Sequence, residues 1–258
     1  MTLRWVPGWN GLNEPEAVSY VAAVEAADGQ ELEFGVARAI NDFVTGCKQD
    51  KIWDAIKACC ILAGARTLNG ALVPLVGTAP TKNGTEGGWN YNRETGLEGN
   101  GTDNYLDSNR AGDDDPQQNN HHVAAYSTST TTNTGVLISD GIASGSTELI
   151  LTNAPEFRTR NRSTSVVSHG VAATYSGFFG SSRSSAANYV ARADGIDEIE
   201  TTSSQEPPAT SKLIFARSGP SNYTNARLAF YSIGESLDLA ALDTRVSNLI
   251  TAIGAAIP

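Results

Sequence analysis

The sequence predicts a mainly β protein, an antiparallel sandwich or jelly roll that is preceded by helices and closed by one more helix. From about Gly70, short β-prone runs alternate with turns rich in glycine, serine, threonine and asparagine. No helix-length pattern separates these runs, which argues against alternating βαβ units. The last stretch, Ala226 to Pro258, changes from strand-like alternation to helical spacing.

The N-terminal part is predicted to be helical. Asn13 is placed to cap a first helix, with Pro15 in its first turn and Glu16 three residues after the cap, and Gly29 ends it. Two further runs have apolar residues at helical spacing: Leu32, Val36, Ile40, Phe43, Val44 and Cys47, and then Ile52, Trp53, Ile56, Cys60 and Ala63. We assign residues 1–69 to an N-terminal arm and a helical region.

Residues 70–258 are assigned to the sandwich and its closing helix. About nine short strands are predicted: Ala71 to Val76, His122 to Ser127, Gly135 to Ser139, Glu148 to Thr152, Ser163 to Thr174, Tyr189 to Ala193, Ile196 to Thr201, Lys212 to Arg217 and Arg227 to Ile233. The three longest loops are polar and are expected on the surface: residues 78–102, 107–121 and 201–211.

The closing segment has apolar groups on both faces of its strand, which is typical of a central strand. Asp238 then caps a helix, and its apolar side chains recur at helical spacing: Leu239, Leu242, Val246, Leu249, Ile250 and Ile253. This helix is expected to pack on the body of the sandwich.

Composition excludes several classes of protein. The 258 residues have a formal net charge of -10, and the basic residues form no stripe interleaved with aromatics, so nucleic acid is not an expected partner. No apolar run approaches the roughly 20 residues of a membrane helix, and we expect neither a membrane span nor an export signal. Cys47, Cys59 and Cys60 are expected as buried free thiols on helices, in a chain assembled in a reducing cytoplasm.

Three segments carry a family resemblance: "IWDAIKACCILAGARTLNGALVPLVGTAPT", "YNRETGLEGNGTDNYLDSNR" and "ARLAFYSIGESLDLAALDTRVSNLITAIGAA". They resemble tailed-bacteriophage virion proteins, which are fibre and surface-structural components. The last segment is also similar to the end of concanavalin-A-like and laminin-G-like jelly rolls, where a short helix covers one edge.

The resemblance implies a non-enzymatic structural subunit of a virion, a tail or head fibre or a decoration protein, that presents its sandwich to the host. It implies self-association, with a homotrimer favoured by analogy, other virion proteins as partners and assembly in the host bacterial cytoplasm. Residues 1–69 would then serve for anchoring and oligomerisation. Trp5 and Trp9 would then be docking side chains, because aromatics bury much area at low entropic cost. The alternative is that both tryptophans pack on the protein's own body.

Catalytic signatures are absent from the sequence, and we expect no enzyme. No phosphate-binding loop, zinc-protease motif or nucleophile elbow occurs. A catalytic histidine would have to be His121, His122 or His169, and His121 is expected to be the more exposed of the first two. The stretch "DGIDEIE", residues 194–200, matches a glucanase carboxylate pattern poorly and is predicted to be a charged edge strand.

A calcium site is one candidate in the acidic loop, where carboxylates supply the oxygen ligands that calcium prefers. The candidate ligands are Asp103, Asp107, Asp113, Asp114 and Asp115. The spacing does not fit an EF-hand, because Ala111 and Gln118 occupy ligand positions. A solvated run of charge is the alternative explanation.

Carbohydrate binding without catalysis is the rival function, as a lectin-like module that recognises a host surface glycan. Trp89, Tyr91 and Tyr105 lie in polar, asparagine-rich loop sequence and are candidate platforms for a sugar. These aromatics could instead hold their own loops against the sandwich. A glycan hydrolase is the third possibility.

Overall fold

Two antiparallel sheets face each other in a computed structural model that describes residues 11–115, 117–129, 134–152, 156–171 and 176–258. The expected class, a jelly-roll β-sandwich with N-terminal helices and a C-terminal helix, is confirmed. The helices are α1 (Pro15–Asp28), α2 (Phe34–Gln49), the single-turn α3 (Leu68–Ala71) and α4 (Leu239–Ala256). No helix in these described ranges has the length and apolar content needed to cross a membrane.

Sheet A has the order β13-β12-β11-β6-β15-β4-β3, with β1 also paired to β15, and sheet B has the order β10-β9-β8-β7-β14-β5-β2. The strands are β1 (Ile56–Ile61), β2 (Thr81–Asn83), β3 (Asn90–Asn92), β4 (Gly96–Glu98), β5 (Tyr105–Ala111), β6 (His121–Ser127), β7 (Gly135–Ser139), β8 (Thr147–Leu151), β9 (Glu156–Asn161), β10 (Val167–Val171), β11 (Gly177–Arg183), β12 (Asn188–Ala193), β13 (Ile196–Thr201), β14 (Ser211–Ile214) and β15 (Arg227–Gly234).

Sheet A is apolar on both faces, because one face meets sheet B and the other meets the helices. On β15, Tyr231 belongs to the core between the sheets, while Phe230 faces the helices and meets Phe43 of α2 edge to face at 5.7 Å. Leu242 and Val246 of α4 pack into the same helical layer. The prediction that the closing strand is central is therefore confirmed, since β15 lies between β6 and β4.

Three of the four predicted helices are confirmed. Helix α1 ends before Gly29, which adopts φ 65° and donates its N–H to the Glu25 carbonyl. Asp238 caps α4, because its carboxylate accepts from the N–H groups of Ala240 and Ala241.

The predicted third helix is wrong, since Ile56–Ile61 forms strand β1. A short apolar run that is buried on both faces satisfies helical and strand patterns alike. Strand β1 brings residues before Gly70 into sheet A, and it carries Cys59 and Cys60 as buried strand residues. Burial raises the pKa of the Cys60 thiol to about 12.

The predicted strand from Ala71 to Val76 is also wrong. Thr67 caps the single turn α3 by accepting from the N–H of Gly70, and only Val76 forms an isolated bridge, to Cys59. Several strands were not predicted at all: β2, β3, β4, β5, β9 and β11. Most of them are rich in glycine or in polar residues, so they lack the apolar alternation that marks a strand.

Candidate functional site

Charged side chains line the outer face of sheet B, the face turned away from sheet A. Phe157 lies in the core between the sheets, so its neighbours on β9, Glu156 and Arg158, point outward, and so does Arg160. Glu148 of β8 pairs in register with Arg160 and lies on the same outer face. Three side chains of one strand and one of the next therefore carry charge on a single surface.

Glu148 is the buried anchor of this charged group, with a side chain only 1% exposed. Its Oε1 accepts a hydrogen bond of 2.7 Å from Arg217 Nε, and its Oε2 lies 3.6 Å from Arg160 Nε. Burial raises the pKa of Glu148, and the two guanidinium groups act in the opposite direction. Glu148 thus holds the two arginines side by side.

Arg217 reaches this face from the loop that follows β14. The loop folds back on itself through paired backbone hydrogen bonds between Arg217 and Ser221, and Gly219 supplies the left-handed φ of 77° that the turn needs. The Arg217 side chain keeps 21% exposure. Only its Nε is used by Glu148, and among the described residues no acceptor binds its two terminal nitrogens.

Two tyrosines form an aromatic pair on the same side of sheet B. Tyr105 begins β5 and points outward because the next residue, Leu106, lies in the core. Its ring lies 6.4 Å from the ring of Tyr223, which comes from the same loop as Arg217. Both rings are half-buried, and desolvation followed by the proximity of Tyr105 and Asp103 raises the pKa of Tyr223.

We call this surface the outer-face site, and its members are Tyr105, Glu148, Arg158, Arg160, Arg217 and Tyr223. Its three arginines are paired with only two carboxylates, those of Glu148 and the neighbouring Glu156. The surface therefore has a local excess of positive charge, although the net charge of the chain is -10. A guanidinium group presents a planar fork of donors that matches a carboxylate. The arginines can therefore hold an anion on the same outer face that carries the two aromatic rings.

The three aromatic residues predicted as sugar platforms lie in different environments. Trp89 packs edge to face on Phe215 at 5.7 Å, and the Tyr91 hydroxyl donates to the Ala65 carbonyl at 2.7 Å. Their contacts favour the alternative in which both aromatics hold their own loops. Tyr105 is the one member of the predicted set that lies in the outer-face site.

Four of the five aspartates of the predicted calcium site have separate partners, and the fifth is exposed. Asp103 accepts from Asn100 and Thr85, Asp107 accepts from the N–H of Asn109, and Asp114 accepts from the N–H of Ala111. Asp115 is buried in an ion pair with Arg110, whereas Asp113 is exposed. Within the described ranges, no three of these carboxylates come within 4.8 Å of one another.

The acidic loop is held from beneath by a buried arginine. Arg162 donates to the carbonyls of Gly112, Asp115 and Gln117 at 2.6 to 2.9 Å. His121 and His122 begin β6 and both are fully buried, so the expectation that His121 is the more exposed of the two is wrong. The Arg162 hydrogen bonds fix the shape of the loop, and burial leaves neither histidine accessible to a substrate.

Trp5 and Trp9 lie outside the described residues. Their role as assembly anchors, the homotrimer and the virion location therefore stay predictions. The predicted edge strand is confirmed, because β13 is the edge strand of sheet A. Its Glu198 and Glu200 side chains point to the same face of the sheet.

The arginines of the outer-face site were not predicted from the sequence. The signal lies in "EFRTRN", residues 156–161, where charge alternates with core residues at a period of two. Arg217 and Glu148 are 69 residues apart in the chain, so their contact has no local pattern.

Comparisons with known proteins give structural likeness only. Neither a family model nor a curated protein matches the chain. A mutant of Trypanosoma rangeli sialidase with trans-sialidase activity has a TM-score of 0.51 and 10% identity, over 83% of this chain and 39% of that one.

Two further structures are similar at lower scores. NanB in complex with Optactamide has a TM-score of 0.41 and 13% identity, over 52% of this chain and 24% of that one. The Ruminococcus gnavus IT-sialidase CBM40 has a TM-score of 0.38 and 12% identity, over 49% of this chain and 82% of that one. The chain thus spans about a quarter of NanB and two fifths of the Trypanosoma enzyme, and at 10% identity the likeness to that enzyme shows the sandwich fold.

Proposed function

We propose that this protein is a lectin-like module that binds a carboxylate-bearing glycan at the outer-face site. The observation that carries the proposal is the Arg217 guanidinium, which the buried Glu148 holds in place while its terminal nitrogens keep no acceptor among the described residues. A pre-positioned guanidinium loses little conformational entropy when it binds a carboxylate.

The same outer face of sheet B also carries the other kinds of group that sugar recognition requires. Arg158 is 42% exposed on the same face and pairs with Glu156 through Nε and Nη2, so it adds positive charge to the surface that an anionic ligand would meet. Tyr105 and Tyr223 offer apolar ring surface with hydroxyl groups, which suits a ligand that is polar at its edges and apolar on its faces. Glu148 lies buried between two arginines, and we assign it the role of positioning Arg217.

Calorimetric titration with a matched pair of sugars tests the proposal. The probe is 3′-sialyllactose, which carries one carboxylate, and the comparison ligand is lactose, which carries none. We expect saturable heat with sialyllactose and none with lactose. Arg217→Met should weaken binding by roughly tenfold to a hundredfold, because a hydrogen bond to a charged group contributes about 1.5–3 kcal/mol.

The control variant is Arg38→Met, which removes an exposed arginine of α2 far from sheet B. Binding should be unchanged in this variant. Equal heat with both sugars, no heat with either, or unchanged affinity in Arg217→Met would each overturn the proposal. Tyr223→Ala tests the aromatic pair in the same assay and should weaken binding of sialyllactose while Arg38→Met does not.

A further inference from the structure

We infer that the protein has a binding site for a divalent transition metal, of the zinc class, between the edges of its two sheets. The ligands are His169 of β10, the last strand of sheet B, and Glu198 and Glu200 of β13, the last strand of sheet A. The inference is independent of the glycan proposal, because His169 points inward between the sheets and the outer-face site lies on the opposite face of sheet B.

The distances fit a single metal ion. His169 Nδ1 lies 3.2 Å from Glu198 Oε2 and 3.2 Å from Glu200 Oε1, and all three ligand atoms lie within 4.8 Å of one another. Zinc bonds to nitrogen and oxygen are about 2.0–2.2 Å long, so neighbouring ligands of a tetrahedral ion are about 3.3 Å apart. A modest movement of one carboxylate closes the set around one ion.

The histidine is oriented for this role. Its other nitrogen, Nε2, lies 2.5 Å from Thr159 Oγ1, which in turn contacts the Tyr189 hydroxyl at 2.9 Å. The Phe157 ring packs on the imidazole at 5.4 Å between centroids. A hydrogen bond from Nε2–H to Thr159 leaves the Nδ1 lone pair facing the carboxylates, the tautomer that a metal needs.

The two carboxylates of the site favour a bound cation. Within the described part of the chain, both carboxylates lie 3.2 Å from His169 Nδ1, and neither Glu198 nor Glu200 pairs with a lysine or arginine. Two carboxylates that face one imidazole lone pair repel it and each other, and a divalent ion cancels both charges. Nitrogen among the ligands favours zinc or a related transition metal over calcium or magnesium, which prefer oxygen alone.

The exposure of the ligands leaves room for a ligand from solvent. The side chain of His169 is 5% exposed and that of Glu200 19%, whereas that of Glu198 is 49% exposed. Three protein ligands and one open position are typical of sites that keep a bound water. Because the ligands come from the edges of both sheets, a bound ion would also join those edges.

Calorimetric titration of the metal-free full chain with zinc chloride tests the site. We expect one ion per chain. Removal of a ligand in His169→Gln or Glu198→Gln should weaken binding by at least about a hundredfold, because loss of an outer-shell partner alone costs about 10–100-fold. Glu198 is half exposed, so its substitution leaves the core intact if His169→Gln fails to fold. The matched control is Asp197→Asn, which removes a neighbouring carboxylate on the opposite face of β13.

A second measurement follows thermal unfolding with and without zinc. Binding to the folded state alone raises the melting temperature, so zinc should raise it for the natural chain and for Asp197→Asn, and not for Glu198→Gln. The absence of saturable binding at millimolar zinc, or equal affinity in Glu198→Gln and Asp197→Asn, would overturn the inference.

Discussion

Lys212 and Asp140 form an ion pair that is removed from solvent, with Nζ 3.1 Å from Oδ2 and side chains 0% and 1% exposed. Lys212 lies on β14, and Asp140 follows β7, the neighbouring strand. Burial lowers the pKa of Lys212, and the nearby charge of Asp140 opposes that shift.

Removing one partner of this pair should cost far more than removing both. Asp140→Ala leaves a buried ammonium without its counter-charge, and we expect a loss of about 3–5 kcal/mol in the free energy of unfolding. Adding Lys212→Met to that variant should restore most of the loss. Urea unfolding of the two single variants and the double variant measures this, and a loss in Asp140→Ala below about 1 kcal/mol, as for a surface pair, would contradict it.

The contacts of the charged residues at the candidate sites could not be predicted from the sequence. Asp103, Asp107 and Asp113 to Asp115 were candidates because they are close in the chain, yet four of them have separate partners and Asp113 is exposed. Arg217, Glu148 and Arg160 come together only through strand register and a folded-back loop. Tyr105 was predictable as a surface aromatic, whereas its partner Tyr223 was not, because their contact depends on how β5 and the loop pack.

A second ion pair should stabilise the docking of α4. Arg245 of α4 donates two hydrogen bonds, of 2.7 and 2.9 Å, to Asp50 at the end of α2, and this contact holds the pKa of Asp50 below its usual range. We expect Arg245→Met to lower the urea midpoint at neutral pH. The difference should shrink in acid, because protonation of Asp50 removes the pair in the natural chain as well.

The matched control is Arg38→Met. Arg38 of α2 forms an i,i+4 ion pair at 3.7 Å with side chains that are 67% and 63% exposed. Such pairs contribute little, so its midpoint should match that of the natural chain. A shift as large as that of Arg245→Met would show that loss of charge alone, and not the contact between helices, is responsible.

The fold was more predictable than the sites, for reasons that particular elements make clear. Helix α4 combines a cap at Asp238 with regular apolar spacing, and strand β13 alternates between turns, so local pattern and structure agree. Strand β1 was mispredicted because tertiary packing buries both of its faces, one against the helices and the other in the core between the sheets. Strand β9 was not predicted, because its outward-facing residues are charged and its inward-facing residues include the polar Thr159.

The cap of α4 should contribute measurably to stability. Asp238 accepts from the N–H groups of Ala240 and Ala241 at 2.9 and 3.1 Å. Asp238→Ala should lower the free energy of unfolding by about 1 kcal/mol, as the loss of an N-cap usually does. Asp238→Asn retains an acceptor oxygen and should lose much less, and equal losses in the two variants, measured by urea unfolding, would argue against capping as the cause.

His122 should make stability depend on pH below neutrality. Its Nδ1–H donates to the Glu235 carbonyl at 2.5 Å, and Nε2 accepts from the Ser232 hydroxyl at 2.7 Å, which fixes the neutral imidazole. Burial lowers the pKa of His122 from 6.5 to about 4. Between these values the unfolded chain binds a proton that the folded chain refuses, so stability is complete above about pH 6.5 and falls as the pH falls toward 4.

The expected contribution of His122 to this loss is up to about 3 kcal/mol, since one pKa unit corresponds to about 1.4 kcal/mol. Urea unfolding from pH 7.5 down to pH 4.5 measures it as a slope of stability against pH. In His122→Gln the slope should decrease by the equivalent of up to one proton. The contribution of His121 to the slope should remain, because burial lowers the pKa of His121 as well. An unchanged slope in His122→Gln would show that His122 is already protonated in the fold, in conflict with its acceptor contact to Ser232.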